Sequence, residues 1–130
     1  MSENEECLNT RKLLYNEFRE NLRVFTALGD ETRQKIFLAL LECGDTGLRV
    51  PQITEMTHLS RPAVSHHLKL LRDAGLISMH RQGTMNFYYI DPRKGCWPEM
   101  QKLFEHVGEC MDRLKKAQTK LPKLGSSEME

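Results

Sequence analysis

The stretch Leu59–Ile77, LSRPAVSHHLKLLRDAGLI, decides how the rest of the chain is read. Ser60 is a strong helix N-cap, and Pro62 falls in the first turn, where a missing N–H costs nothing. Val64, Leu68 and Leu71 follow at i, i+4 and i+7, one apolar face, and Gly75 supplies a stop. Just upstream, PQITEMT (Pro51–Thr57) reads as a short helix with Ile53 and Met56 turned inward. Only His58 and Leu59 separate it from Ser60, so the pair forms a helix-turn-helix. Successive helical residues point about 100° apart, so His66 and His67 cannot share a direction. With Val64, Leu68 and Leu71 on the core, His66 faces outward beside Pro62, Ser65 and Lys69. His67 falls at the edge of the buried stripe, as a packing residue hydrogen-bonded nearby.

Outward from this element the periodicities change. LISMH and MNFYYI are rich in β-formers and flank RQGT (Arg81–Thr84), which predicts a hairpin. The loop DPRKG leads to a last helix from about Trp97 to Lys116. Its Met100, Leu103, Phe104, Val107, Cys110, Met111 and Leu114 repeat near heptad spacing. Toward the N-terminus, Asn9 or Thr10 is expected to cap a helix carrying Leu13, Leu14, Phe18, Leu22 and Phe25. That helix should run to Leu28 and stop at a left-handed Gly29. Asp30 then caps TRQKIFLALLEC, with Ile36, Phe37, Leu40 and Leu41 facing inward. The expectation is a single domain over 1–130, mainly α with one β-hairpin. Its core spans about 22–111, with flexible tails at 1–9 and 117–130.

Composition bounds the function. The 130 residues are 39% apolar and 28% charged, the balance of an ordinary globular chain. The longest strongly apolar run, Ile36–Leu41, is too short to span a bilayer, and the start MSENEEC is too polar for a secretory signal. No membrane association and a cytoplasmic location are expected. The formal net charge of +1 hides an uneven distribution. Between Leu59 and Gly95, Arg61, Lys69, Arg72, Arg81, Arg93 and Lys94 face only Asp73 and Asp91, a basic segment suited to a polyanion. The four cysteines, Cys7, Cys43, Cys96 and Cys110, form no Cys-x-x-Cys pair and match no zinc module. No phosphate-cradling glycine loop or nucleophile–base motif is present, so no enzymatic role, catalytic residue or cofactor is expected.

From LGDETRQKIFLALL through LSRPAVSHHLKLLRDAGLI to FYYI, roughly Leu22–Met111, the chain resembles the ArsR/SmtB repressors. The resemblance implies a winged helix-turn-helix and a homodimeric transcriptional repressor on double-stranded DNA. It also implies that the N- and C-terminal helices pair across a twofold axis, through Leu14, Phe18, Leu103, Val107, Cys110, Met111 and Leu114. Two recognition helices would then lie roughly 34–36 Å apart on an inverted-repeat operator. At the N-terminal half of the recognition helix, Ser60, Arg61, Ala63, Ser65 and His66 are candidates for base or phosphate contacts. Lys69 and Arg72 suit phosphates, and Arg81 and Gln82 at the hairpin suit a flanking groove or backbone.

Many members of that family release DNA on binding a metal or metalloid. Where one common site has Cys-x-Cys, this chain has Arg49, Val50 and Pro51. Where the other, on the last helices of the dimer, has Asp-x-His on one and His-x-x-Glu on the other, this chain has DPR and a lone His106. His106 and Cys110 share one helical face, and Glu109 or Cys96 could join them, but this set builds no convincing metal site. Cys43 with Cys110 is a second, redox possibility. Cys96, at the positive end of a helix, is the one thiol whose pKa has a reason to fall. A metal, redox or small-molecule effector remains open.

Overall fold

The computed structural model describes residues 3–117. In order it contains helices α1 (Glu3–Glu20), α2 (Leu22–Leu28) and α3 (Glu31–Cys43), a short 3-10 turn (Gly44–Thr46), and helices α4 (Val50–Thr57) and α5 (Arg61–Asp73). The antiparallel strands β1 (Ser78–Gln82) and β2 (Met85–Tyr89) follow, then α6 (Trp97–Ala117). The chain divides into two compact units, Arg19–Met100 and the terminal segments Met1–Phe18 with Gln101–Glu130. Among the described residues no helix is long and apolar enough to cross a membrane.

In the unit Arg19–Met100, Ile36, Leu40, Ile53, Val64, Leu68, Leu71 and Leu76 are all buried to within 1%. Each contributes about 1.5–3 kcal/mol relative to exposure. Two expected core positions differ. Leu41 is 52% and Met56 54% exposed, because α3 and α4 are each covered on one narrow side only.

The N-terminal boundaries also differ from expectation. The first helix begins by Glu3, not at a cap on Asn9 or Thr10. Thr10 instead donates its hydroxyl to the Glu6 carbonyl within the helix. One long helix to Leu28 is replaced by two, broken at the buried Asn21. Gly29 is not left-handed but stays helical, at φ −77 and ψ −7. The left-handed turn is not needed, because side chains from α3 close the end of α2. Arg33 donates through Nε to the Ala27 carbonyl at 2.7 Å and through Nη2 to Thr26 O at 3.4 Å. Gln34 donates to Leu28 O at 2.6 Å. The third nitrogen of Arg33, Nη1, lies 3.3 Å from Nδ1 of His67 on α5. Asp30 caps α3 as expected, accepting from the Arg33 backbone N–H at 2.9 Å.

The hairpin turns on Gly83 and Thr84, with Gly83 at φ +60, as a two-residue turn led by glycine requires. Arg81 and Gln82 are therefore the end of β1 rather than part of the turn. A third segment, unforeseen from sequence, pairs with the hairpin: Leu48 exchanges both backbone hydrogen bonds with Tyr88, each at 2.8 Å. At the other end, Gly75 closes α5 at φ +78. There Leu76 N–H reaches Leu71 O and Gly75 N–H reaches Arg72 O, a paired C-terminal closure. Gly75 also accepts from Cys96 N–H at 3.0 Å, so close that an added Cβ would sit 2.7 Å from that nitrogen. The Trp97 ring stacks on Phe37 and its indole N–H donates to Leu76 O at 3.2 Å, pinning the start of α6.

In the terminal unit α1 and α6 run in opposite directions. His106 Nδ1 meets Glu17 at 2.7 Å, and further along Arg113 donates to Thr10 Oγ1 at 2.9 Å. Leu103 is fully buried, which removes it from the expected dimer face and makes it core. Leu14, Val107 and Cys110 are half-buried, while Phe18, Phe104, Met111 and Leu114 are between 41% and 58% exposed.

The joint around Arg33 yields a two-part expectation. Arg33→Ala should lower stability to urea by about 1.5–3 kcal/mol, the range for hydrogen bonds from a charged donor. Burial first, and then the Arg33 charge, lower the His67 pKa from its ordinary 6.5. Its stabilising neutral form is complete above pH 6.5 and is lost as pH falls through the lowered value. Thermal unfolding between pH 8 and 5 should show that loss, and His67→Gln should abolish it. An Arg33→Ala protein as stable as wild type would mean that the joint is ornamental.

Candidate nucleic-acid interface

The amphipathic division of α5 builds the site. Val64, Leu68 and Leu71 are completely buried, which forces the opposite face outward. Ser60, with extended backbone at φ −69 and ψ 157, accepts the Ala63 N–H on Oγ at 3.3 Å. Arg61, Ser65, His66, Lys69 and Arg72 are exposed, and Ala63 is half-buried. The adjacent histidines separate as their spacing requires. His66 points to solvent, while His67 is half-buried against Arg33. For Nδ1 of His67 to accept from the guanidinium, the ring must be neutral with its proton on Nε2.

Between α5 and the hairpin lies a groove of about 610 Å³, bounded by Ser65, Lys69 and Arg72 on one side and Ser78, Met79 and Tyr89 on the other. Arg81 and Gln82 are exposed at the far end of β1, and Arg81 Nε donates to Gly83 O at 2.9 Å. On the hairpin, His80 stacks on Phe87 with ring centroids 5.3 Å apart and meets Tyr89 edge-on. His58, in the turn before α5, is the one non-glycine residue at positive φ among the described residues (φ +60). That backbone state lets α4 end and Ser60 begin the next helix within three residues.

The cations are not equally available. Asp91 is buried and accepts from Arg93 through N, Nε and Nη2, which together hold its carboxyl down at about 2. Lys94 lies 4.0 Å from the same carboxylate. These two cations therefore anchor the loop before α6. Lys69 is paired too, with Asp73 at 2.8 Å on the next turn of α5. The hydrogen bond from Lys69, more than the nearby charges of Lys69, Arg23 and Arg72, lowers the Asp73 pKa. The sequence reading passed over this pair, although Lys and Asp four apart on a helix are the signal for it.

The thiols and His106 differ in their surroundings. Cys96 is buried, and burial raises its pKa, the reverse of the fall expected at a helix start. Cys43 is raised by burial as well, and its Sγ donates to Leu40 O at 3.2 Å. His106 is engaged by Glu17. Among the described residues no group of three or more His, Cys, Asp or Glu is placed to hold a metal ion.

The sequence profile of bacterial regulatory proteins of the arsR family matches residues 30–79, from the cap of α3 to the second residue of β1. The chain is 37% identical over 73 residues to an uncharacterised HTH-type transcriptional regulator of Methanocaldococcus jannaschii, a match covering 56% of this chain and 80% of that one. The chain belongs to the ArsR family. It is 43% identical over 68 residues to the transcriptional repressor SdpR of Bacillus subtilis, covering 52% of this chain and 72% of the repressor. Its fold matches that of an ArsR-like transcriptional regulator from Rhodococcus sp. RHA1 with a TM-score of 0.62 and 26% identity, covering 83% and 97% of the two chains. The winged helix of this ArsR protein is that of a DNA-binding transcriptional regulator.

The Asp73 carboxylate on Lys69 offsets that cation and would oppose any phosphate brought to this side of α5. Asp73→Asn should strengthen binding to specific and unrelated duplexes by a similar factor. It should also steepen the logarithmic salt dependence by roughly one unit, the increment of one more phosphate contact. Fluorescence anisotropy over a salt series reads both. Weaker binding by Asp73→Asn would place Asp73 among the residues that help to hold DNA.

Proposed function

We propose that this protein is a homodimeric repressor in the cytoplasm that occupies an inverted-repeat operator. In this reading the N-terminal half of α5 enters the major groove. Arg61 and His66 read base edges, while Ser60, Ala63 and Ser65 lie close to bases or phosphates. Lys69 and Arg72 hold the backbone, and Arg81 and Gln82 reach the flanking groove from the hairpin. The observation that carries the proposal is the exposed polar face of α5, set opposite three completely buried apolar residues. It has the form a recognition helix needs. SdpR and the Escherichia coli arsenical resistance operon repressor, 34% identical over 89 residues, are named as repressors.

The twofold arrangement is supported by apolar surface that one copy leaves uncovered. Phe104, Met111 and Leu114, with half-buried Val107 between them, recur at heptad spacing along α6, and Phe18 on α1 is 41% exposed. Such a stripe fits a seam between two copies of the chain. Leu103 is replaced in this scheme by Phe104. The whole chain then acts as a single winged helix-turn-helix module, with no catalytic role and no metal assigned to it.

Arg61→Ala or His66→Ala should weaken binding to DNA from upstream of the protein's own gene by about 1–3 kcal/mol and relax base preference at one operator position per half-site. A loss equal on every sequence would move that residue to the phosphate-contact class. Phe104→Glu combined with Met111→Glu should give monomers by sedimentation and non-cooperative, weaker operator binding. An intact dimer would mean that the twofold seam lies elsewhere.

A further inference from the structure

Two thiols from different helices open onto one hollow in the terminal unit. Cys7 and Arg11 of α1, with Cys110, Arg113, Leu114 and Lys116 of α6, line a cleft of about 440 Å³. That is the scale of a small-molecule site, roughly 300–1,000 Å³. The two sulfurs, Leu114 and the aliphatic stems of the long side chains make its floor apolar. Its rim is cationic. Glu6 is the one acidic residue lining it and lies 3.6 Å from Arg113, which also donates to Thr10. Arg11 and Lys116 take part in no ion pair among the described residues, so two positive charges are left facing an apolar hollow.

A concave apolar floor under unmatched cations selects a ligand with an apolar body and one anionic end. We infer that this cleft binds a small amphipathic organic anion. Its apolar part rests on Cys7, Cys110 and Leu114, and its carboxylate or sulfonate is held by Arg11 and Lys116. A metal ion is a poorer occupant, since two thiols without a third ligand do not make a closed site. DNA is a poorer one too, because none of these residues lies on α5 or the hairpin. The rival is a second copy of the chain, because Cys110 and Leu114 also border the proposed seam.

The full-length protein is titrated with 8-anilinonaphthalene-1-sulfonate, an aromatic sulfonate whose fluorescence rises on apolar surfaces. N-ethylmaleimide labelling of each cysteine is followed by mass spectrometry. Saturable binding of one probe per chain is expected. The bound probe should slow labelling of Cys7 and Cys110 several-fold and leave Cys43 unaffected. Arg11→Glu with Lys116→Glu should weaken the probe by about tenfold, as loss of two partly exposed charge contacts implies, with the circular dichroism spectrum unchanged. Equal affinity in the charge-reversed protein, or labelling rates indifferent to the probe, would overturn the inference. So would thiols that are protected without probe and become reactive only in the Phe104→Glu, Met111→Glu variant, since the occupant is then the second copy. No readout involves DNA, so this site and the DNA interface stand or fall separately.

Discussion

The guanidinium of Arg33 is the joint on which the DNA-facing unit depends. A helix as short as α2 ends in carbonyls that nothing inside it can satisfy. Here one side chain takes two of them, Ala27 O and Thr26 O, while Gln34 takes Leu28 O. The same guanidinium reaches His67, on the edge of α5 away from the groove. The first turn of α3 therefore caps itself through Asp30, closes the preceding helix and fixes the rotation of the recognition helix about its axis. A rotation of one residue, about 100°, would carry Leu68 out to the exposed position of Lys69 and His66 to the half-buried edge that His67 now holds. The stretch LGDETR thus carries a mechanical role beyond its propensities.

How much of this was legible in the sequence follows from what each signal encodes. The helix-turn-helix, its serine cap, its glycine stop and the opposed directions of the two histidines were all readable, because cap chemistry and a strong amphipathic period agree over Leu59–Gly75. Depth was not readable. Periodicity names the inward face of a helix but not how far its neighbours reach, so Leu41 and Met56 proved exposed and Leu103 proved to be core. Gly29 suggested a left-handed stop; hydrogen bonds from Arg33 and Gln34, six and seven residues further on, did that work instead, and no propensity or cap signal marks them. Cys96 misled for a related reason. Its position at a helix start argued for a lower pKa, while burial, which the sequence does not display, argued the other way and prevailed.

Charge shows the same division between sum and placement. A net charge of +1 conceals a basic middle, yet even that middle overstates the cations free to meet a polyanion. Arg93 and Lys94 lie on the buried Asp91, an arrangement that fixes the loop before α6. Lys69 is held by an exposed partner, and such a pair is worth little in water. It can therefore yield to phosphate in a way that the buried Asp91 cannot. Of the basic residues on α5 and the hairpin, Arg61, Arg72 and Arg81 are in no ion pair among the described residues.

The elements on either side of the α5–hairpin groove are each tied down by a backbone contact that tolerates no Cβ. Gly75 and Gly95 approach each other where α5 ends and α6 is about to begin, and Cys96 N–H bonds across the gap to Gly75 O. On the other side Gly47 lies so near Tyr88 that a Cβ would stand 2.9 Å from its carbonyl oxygen, which lets Leu48 pair with β2 as a third strand residue. One contact ties the loop before α6 to the end of α5, and the other ties β2 to the segment leading into α4. Both ties are main-chain hydrogen bonds, so the end of α5 and strand β2 are each held by backbone rather than by flexible side chains. Under the proposed reading, elements held this way would lose little ordering entropy on meeting DNA, which favours discrimination by the exposed face of α5.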